Sequence, residues 1–256
     1  MTTEPVFYAY ADLDKHGADN AFESETLQDW WVAANLGAVN VSFPVDFGSL
    51  IPRGYEGIMA VGRCMSHDRD LSSCIRMMRD MQKSGEVAAT AAALAVERDC
   101  GLRELPYEIL RTELVKTGCL DENNKTGYNF EVYFPAKTTT HINWMEKEED
   151  IRAGLDSERP GVAIWSCFLL GSTMAGPLKR WVKEGGENLR KHSAIALGLL
   201  KDTACLPVIR EMIRERDPLV LKDCRKNNQI RGVIAVYIAG KLGDPEMTGT
   251  LIELAI

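Results

Sequence analysis

Apolar positions recur with a different spacing in each part of the chain. In "ETLQDWWVAANLGA" (25–38), Trp30, Trp31, Ala34 and Leu36 predict a short helix that Gly37 stops. The stretch 39–52 alternates apolar and polar residues and is broken by Pro44 and Pro52, as in edge strands or extended loops. After the turn "RGYEG", the run "IMAVG" (58–62) predicts a strand buried on both faces. Residues 71–98 are helical by composition. Residues 104–118 predict an amphipathic helix, with Ile109, Leu110, Leu114 and Val115 on one face and Gly118 just past its end. A polar turn (121–129), an alternating strand-like run (130–135) and a charged helix with a linker (138–161) follow, and Pro160-Gly161 marks a boundary.

Beyond that boundary the chain repeats itself. The segments 163–182, 193–213 and 233–254 superpose when Leu170-Gly171-Ser172, Leu200-Lys201-Asp202 and Leu242-Gly243-Asp244 are aligned, at offsets of 30 and 42. Pro177 and Pro207 then coincide. Each segment predicts helix, tight turn, helix, and cannot bury its apolar stripe alone, so the units should stack. The longer second offset fits an insertion at 216–229. The pattern resembles HEAT-type repeats, whose favoured turn is similar to "LGDP" at 242–245. The array is expected to be truncated, since "LIELAI" falls within a second helix and no polar capping helix follows.

The chain has 256 residues and a formal net charge of −7, which argues against nucleic acid or an anionic membrane as its main partner. No apolar run reads as a membrane span. Seven cysteines at irregular spacing include no C-x-x-C pair, and four scattered histidines show no metal-ligand spacing. The expectation is reduced thiols, no metal site and a cytoplasmic location.

The stretch 57–101 carries the chemistry. A buried strand ending at Gly62, a loop with Arg63, Ser66, Ser72, Ser73 and Arg76, and then a small-residue helix can present backbone N–H groups to a nucleotide. The same composition also suits plain close packing of a helix on a sheet.

The residues Ser49, Leu50, Pro52, Arg53 and Gly54, then Gly62, Arg63, Cys64 and Ser66, then Arg76, Gly85, Ala88 and Ala91 to Ala95 stand in order over residues 42–118. In this they resemble the C-terminal flavin-binding segment of the FAD-dependent oxidoreductases of glutathione-reductase-like fold. That group is distantly related to the flavoproteins of succinate dehydrogenase and fumarate reductase. The resemblance implies FAD as cofactor, a small-molecule substrate, and a chain that passes the flavin near Arg63 to Ser66. It also implies a helix that points its N-terminal end at the isoalloxazine, with Gly85 allowing close approach and Ala88 flush packing.

Arg76 would contact the flavin or an anionic substrate, or else hold the loop by a salt bridge. Cys64 would be a small buried residue near the ring, and His67 would be an acid–base group beside Asp68. Two departures from the family pattern are Arg79 in place of a proline and Ala89 in place of a second glycine.

The dinucleotide fingerprint G-x-G-x-x-G occurs nowhere in the 256 residues. The expected architecture is therefore α+β followed by α: a partial FAD-binding α/β domain and then an all-α HEAT-like repeat region. Its divisions would be 1–40 (tail of a substrate or cap region), 41–120 (C-terminal FAD-binding segment), 121–160 (connection) and 161–256 (repeats). The expected function is a fragment of an FAD-dependent oxidoreductase that binds FAD weakly or not at all by itself. The rival readings are a HEAT-like module that binds a protein partner, and a nucleotide-binding module without redox chemistry.

Overall fold

The computed structural model describes residues 4–11, 24–37, 41–72, 74–121, 144–221 and 229–255. They belong to two compact units, one of residues 1–23 and 40–141, the other of residues 24–39 and 142–256. The first elements in chain order are β1 (Pro5–Ala11), α1 (Glu25–Gly37) and β2 (Val41–Asp46). The strands belong to the first unit and α1 to the second, so the segment expected to run intact from 1 to 40 is divided between them. The division follows from what each element must bury or pair. β1 needs a neighbouring strand, whereas α1 buries Val32, Ala33, Ala34 and Leu36 and needs apolar helices around it.

In the first unit β1 and β2 pair antiparallel, with Tyr8 opposite Pro44 and an irregularity between Pro5 and Phe7. The sheet has two strands among the described residues, and proline is tolerated in such an edge position. A 3-10 turn, Phe47–Leu50, follows β2. Helix α2 (Met78–Glu97) packs on β1 and on α3 (Tyr107–Thr117). Its buried positions Asp80, Ser84, Val87, Ala91 and Leu94 follow the helical period. Helix α3 ends at Gly118, whose φ of +77° is a left-handed conformation that glycine adopts without penalty. Of its expected apolar face, Leu110 and Leu114 are fully buried while Val115 is 42% exposed.

Residues 58–61 do not form the expected strand. Val61 keeps extended backbone (φ −123°, ψ 171°), but no strand pairs with this run among the described residues, and Ile58 is 52% exposed. An extended segment without a ladder partner is not a strand. The helix expected from residue 71 begins only at Met78, because Met77 is extended (φ −70°, ψ 147°) and residues 71, 72 and 74 are in turns. The strand-like run at 130–135 and the turn at 122–129 lie outside the described residues.

The second unit continues with α4 (Glu148–Leu155), α5 (Gly161–Leu170), α6 (Ala175–Glu184), α7 (Glu187–Leu199), α8 (Leu206–Arg214), α9 (Arg231–Leu242) and α10 (Thr248–Ala255). Pro160 precedes α5 but bounds no domain. Helix α4 packs on α5 and α7, with Ile151 and Leu155 fully buried in the same core. The three expected helix–turn–helix segments are present as α5–α6, α7–α8 and α9–α10, each joined through a 3-10 turn. The aligned turn positions Gly171, Lys201 and Gly243 have φ of +64°, +61° and +63°. All three take a positive φ, but Gly171 has ψ −138° and Gly243 ψ 38°, so the first turn differs in conformation from the third. At Lys201 the positive φ is held by a residue whose side chain disfavours it.

Charged pairs run from one hairpin to the next. Asp202 in the second turn accepts from Ala204 N–H and pairs with Lys179 of α6 at 2.7 Å. Asp244 in the third turn accepts from Glu246 N–H and takes two hydrogen bonds from the Arg210 guanidinium of α8, at 2.7 and 2.8 Å. The first helices pack in a row, α5 on α7 and α7 on α9, and α1 packs on α5. The helix crossings are close enough to require glycine. A Cβ on Gly161 would lie 2.1 Å from the Ala33 carbonyl, and one on Gly198 would lie 2.2 Å from Ile238 Cγ2.

Beneath the row lies a buried polar cluster. Asp217, in the insertion after α8, accepts from Lys191 Nζ at 2.7 Å and Arg231 Nη2 at 2.8 Å. Arg231 Nη1 donates to His192 Nε2 at 2.9 Å, and His192 Nδ1 donates to the Leu155 carbonyl at 2.7 Å. His192 is therefore neutral with its proton on Nδ1. Burial, together with the neighbouring Arg231 charge, lowers its pKa to about 4.

Among the described residues one stretch, Gly161–Glu184, has the length and composition of a membrane span. It is the α5–α6 hairpin, interrupted by Gly171 at φ +64° and ψ −138°.

Candidate functional site

Three blocks of sequence converge in the first unit. The 3-10 turn after β2 presents the Ser49 and Leu50 carbonyls outward along the chain that follows. Ser66 N–H donates to the Ser49 carbonyl at 2.9 Å and Ala60 N–H to the Leu50 carbonyl at 2.7 Å. These two bonds lay the 60–66 segment alongside the serine–leucine turn. Arg103 fixes the other end of that turn, donating from Nη2 to the carbonyls of Ile51 (3.2 Å) and Pro52 (2.7 Å). Gly54 and Gly57, at φ +82° and +67°, then reverse the chain.

Gly62 is the pivot. Its φ is +70°, its N–H donates to Ser84 Oγ at 3.0 Å, and a Cβ there would lie 3.7 Å from Met81 Sδ. Ser84 Oγ in turn donates to the Met81 carbonyl at 2.8 Å, so the hydroxyl both accepts and donates within α2. The start of the Gly62–Cys64 turn is thereby docked on the middle of α2, one residue from Gly85. Ser84 was missed in the sequence, although its place on the apolar period of α2 (80, 84, 87, 91, 94) is a usable signal for a buried hydroxyl.

The structure redistributes the roles expected for α2. Gly85 lies inside α2, which starts at Met78, so the N-terminal end of the helix is two turns away from it. The Met77 side chain makes no capping hydrogen bond to the amide donors of the first turn. The side of Gly85 is open: a Cβ there would meet nothing within 4 Å. Ala88 is half-buried; Ala89, Ala92 and Ala93 are exposed, and Val96 is 82% exposed. Ala91 and Ala95 pack inward, whereas Ala89, Ala92 and Ala93 face outward.

Cys64, expected to be buried, is exposed, as are Arg63, Ser66 and His67. Among the described residues no strand lies along 58–61 to cover them. His67 Nδ1 lies 3.3 Å from the carbonyl of its neighbour Asp68. Arg76 is half-buried in the turn before Met78.

Asp80 completes the picture at the start of α2. It is fully buried, Arg79 Nε donates to its Oδ1 at 3.1 Å, and its Oδ2 has no hydrogen-bond partner. Burial raises its pKa despite the Arg79 charge, which limits how far this carboxyl opposes the positive end of the helix. Cys119, beneath α2, donates weakly to the Lys83 carbonyl, and burial pushes its thiol up to about 12. Among the described residues no group of three or more His, Cys, Asp or Glu could hold a metal ion.

Residues 4–114 match the FAD dependent oxidoreductase family. The cofactor implied by that match is FAD, and the matched span, under half of the chain, runs from β1 into α3 and includes α1 of the second unit. No match was found among curated proteins or among solved structures.

The residues present fit a flavin. Gly62 supplies backbone without a side chain, Gly85 leaves an open place on α2, and the first turn of α2 lacks a side-chain cap.

Proposed function

We propose that the first unit is the C-terminal flavin-binding segment of an FAD-dependent oxidoreductase of glutathione-reductase-like fold. The observation that carries this reading is the docking of Gly62 on Ser84. It unites the "SLIPRG", "GRCMS" and small-residue blocks of the family pattern in one place, inside the matched span. FAD, when bound, supplies a hydride acceptor and donor for a small-molecule substrate. The part of this chain is to form one wall. Gly62, Arg63, Cys64 and Ser66 give backbone and short polar groups, and Gly85 and Ala88 give a surface that a planar ring can approach. Arg76 and His67 are the groups proposed to meet an anionic substrate or move a proton.

The pyrophosphate of FAD needs a glycine fingerprint that the 256 residues do not hold. We accordingly read the chain as part of a larger flavoprotein, weak in FAD affinity by itself. Titration of the chain with FAD, followed by flavin fluorescence and visible absorption, tests this together with the spectrum of any longer protein that carries the segment. A longer protein purified without flavin bands, and unable to take up FAD, would sink the oxidoreductase reading.

A second reading concerns the other unit. Three helix–turn–helix hairpins with a positive φ in each turn, linked by Lys179–Asp202 and Arg210–Asp244, support HEAT-like repeats and a protein partner. On this reading the repeats are the functional part and the first unit is a packing module. Flavin content separates the two.

A further inference from the structure

We infer that an aromatic strip on the second unit, built by Trp144, Trp30, Trp165 and Phe168, is a docking surface for an arginine-bearing segment of a protein partner. The inference rests neither on the flavin reading nor on the hairpins being HEAT-like, because no hairpin turn takes part in the strip.

The strip is anchored just before α4. Met145 N–H donates to Ser166 Oγ at 2.9 Å, and Ser166 Oγ donates to the Val162 carbonyl at 2.8 Å. These bonds hold the backbone beside Trp144 against α5. The Trp144 ring meets Trp30 of α1 edge-on, at 5.9 Å and 82°, and Trp30 meets Trp165 of α5 at 4.8 Å and 88°. Phe168, one turn along α5, stacks on Trp165 at 4.5 Å and 21°. Three parts of the chain thus build one continuous run of rings, in the edge-to-face and stacked arrangements that aromatic pairs favour.

The run is not sealed from solvent. Trp144 is 37% exposed and Trp30 and Phe168 are half-buried. Leu169, one turn from Trp165 on the same face of α5, is 55% exposed and extends the apolar surface. The Trp30 indole N–H is buried without a hydrogen-bond partner. A phenyl ring would avoid the cost of that orphan donor, so the polar atom does not account for the indole. What an indole offers beyond other rings is the strongest attraction of its face for a cation.

Charge selects the same occupant. Glu146, Glu148, Glu149 and Asp150 follow Trp144 and are all exposed, against Lys147 and Arg152 in the same stretch. Glu148 pairs with Arg180, whereas Glu146, Glu149 and Asp150 form no ion pair among the described residues. No charged residue lies between Arg159 and Lys179, so α5 adds no cation to the surface. A guanidinium can stack on a ring and pair with a carboxylate at the same time, which an ammonium does less well. Arginine and tryptophan are also the residues that most often dominate an interface.

The test titrates the full chain with a peptide of alternating arginine and serine, and with the same peptide carrying citrulline, which keeps the shape and removes the charge. Binding is followed by tryptophan emission and calorimetry. The arginine peptide should bind about tenfold more tightly than the citrulline peptide, and Trp144→Ala should remove most of that difference. Leu169→Lys, at an exposed position, should weaken the arginine peptide without disturbing the fold, and Glu149→Gln should lower the salt dependence. Failure of the arginine peptide to bind, or equal binding of the two peptides, would overturn the inference. So would unchanged affinity in both Trp144→Ala and Leu169→Lys. A concentration-dependent dimer that Trp144→Ala abolishes would assign the strip to a second copy of the chain and overturn it as well.

Discussion

Ser84 Oγ accepts the N–H of Gly62 across a sequence separation of 22 residues, at 3.0 Å. The serine is fully buried and the glycine sits at φ +70°. Replacing Ser84 with alanine strands that donor at the point where the loop meets α2. The cost should be about 1–3 kcal/mol in denaturant unfolding. FAD uptake by a flavin-loaded longer form should fall as well, because the 62–66 turn loses its anchor. A variant that is fully stable and binds flavin normally would show that the bond positions nothing.

Gly85→Ala separates packing from cofactor binding. The chain itself places nothing within 4 Å of the added methyl group, and alanine is the better helix former by roughly 0.8–1 kcal/mol. Thermal stability without flavin should rise slightly. If a ring approaches this side of α2, affinity for FAD should drop at the same time. A rise in both would place the flavin elsewhere.

Two glycines at helix crossings should respond differently to the same change. Gly161→Ala drives a methyl group against backbone, the Ala33 carbonyl at 2.1 Å, so α1 and α5 must separate. A loss of at least about 1–3 kcal/mol is expected, with no side-chain rescue. Gly198→Ala meets a side-chain methyl, Ile238 Cγ2 at 2.2 Å. Its loss should be partly recovered by adding Ile238→Ala, and a double-mutant cycle measures that recovery.

His192 predicts the acid limb of stability. Its folded pKa of about 4 lies below the ordinary value of 6.5, so the unfolded chain binds the extra proton first as pH falls. The stabilisation is complete above pH 6.5 and is lost progressively as pH falls from 6.5 through 4. It amounts to about 3 kcal/mol. His192→Gln can keep both hydrogen bonds, to Arg231 and to the Leu155 carbonyl, without titrating. Its unfolding free energy should therefore be flatter over that window, and an unchanged slope would assign the pH dependence to other groups.

Helices were the more legible part of the sequence, because their signals are local. The stop at Gly118, the stripe of Leu110 and Leu114, and the alignment of Gly171, Lys201 and Gly243 can all be read within a few turns. Strand 58–62 was misread because an apolar run says nothing about whether a neighbour exists to complete its ladder. The same gap misplaced Cys64, which was assigned to an interior that the described residues do not enclose. The start of the helix expected from residue 71 was placed too early because composition does not reveal that Met77 is extended. Ser84 and Asp80 lay in plain view, but their partners, Gly62 and the interior itself, are distant in sequence or have no letter of their own.

Residues 24–39 lie between two paired strands of one unit yet fold with the other. A cut or fusion point placed at residue 142 would therefore take from the second unit a helix whose Val32 and Leu36 lie in its core.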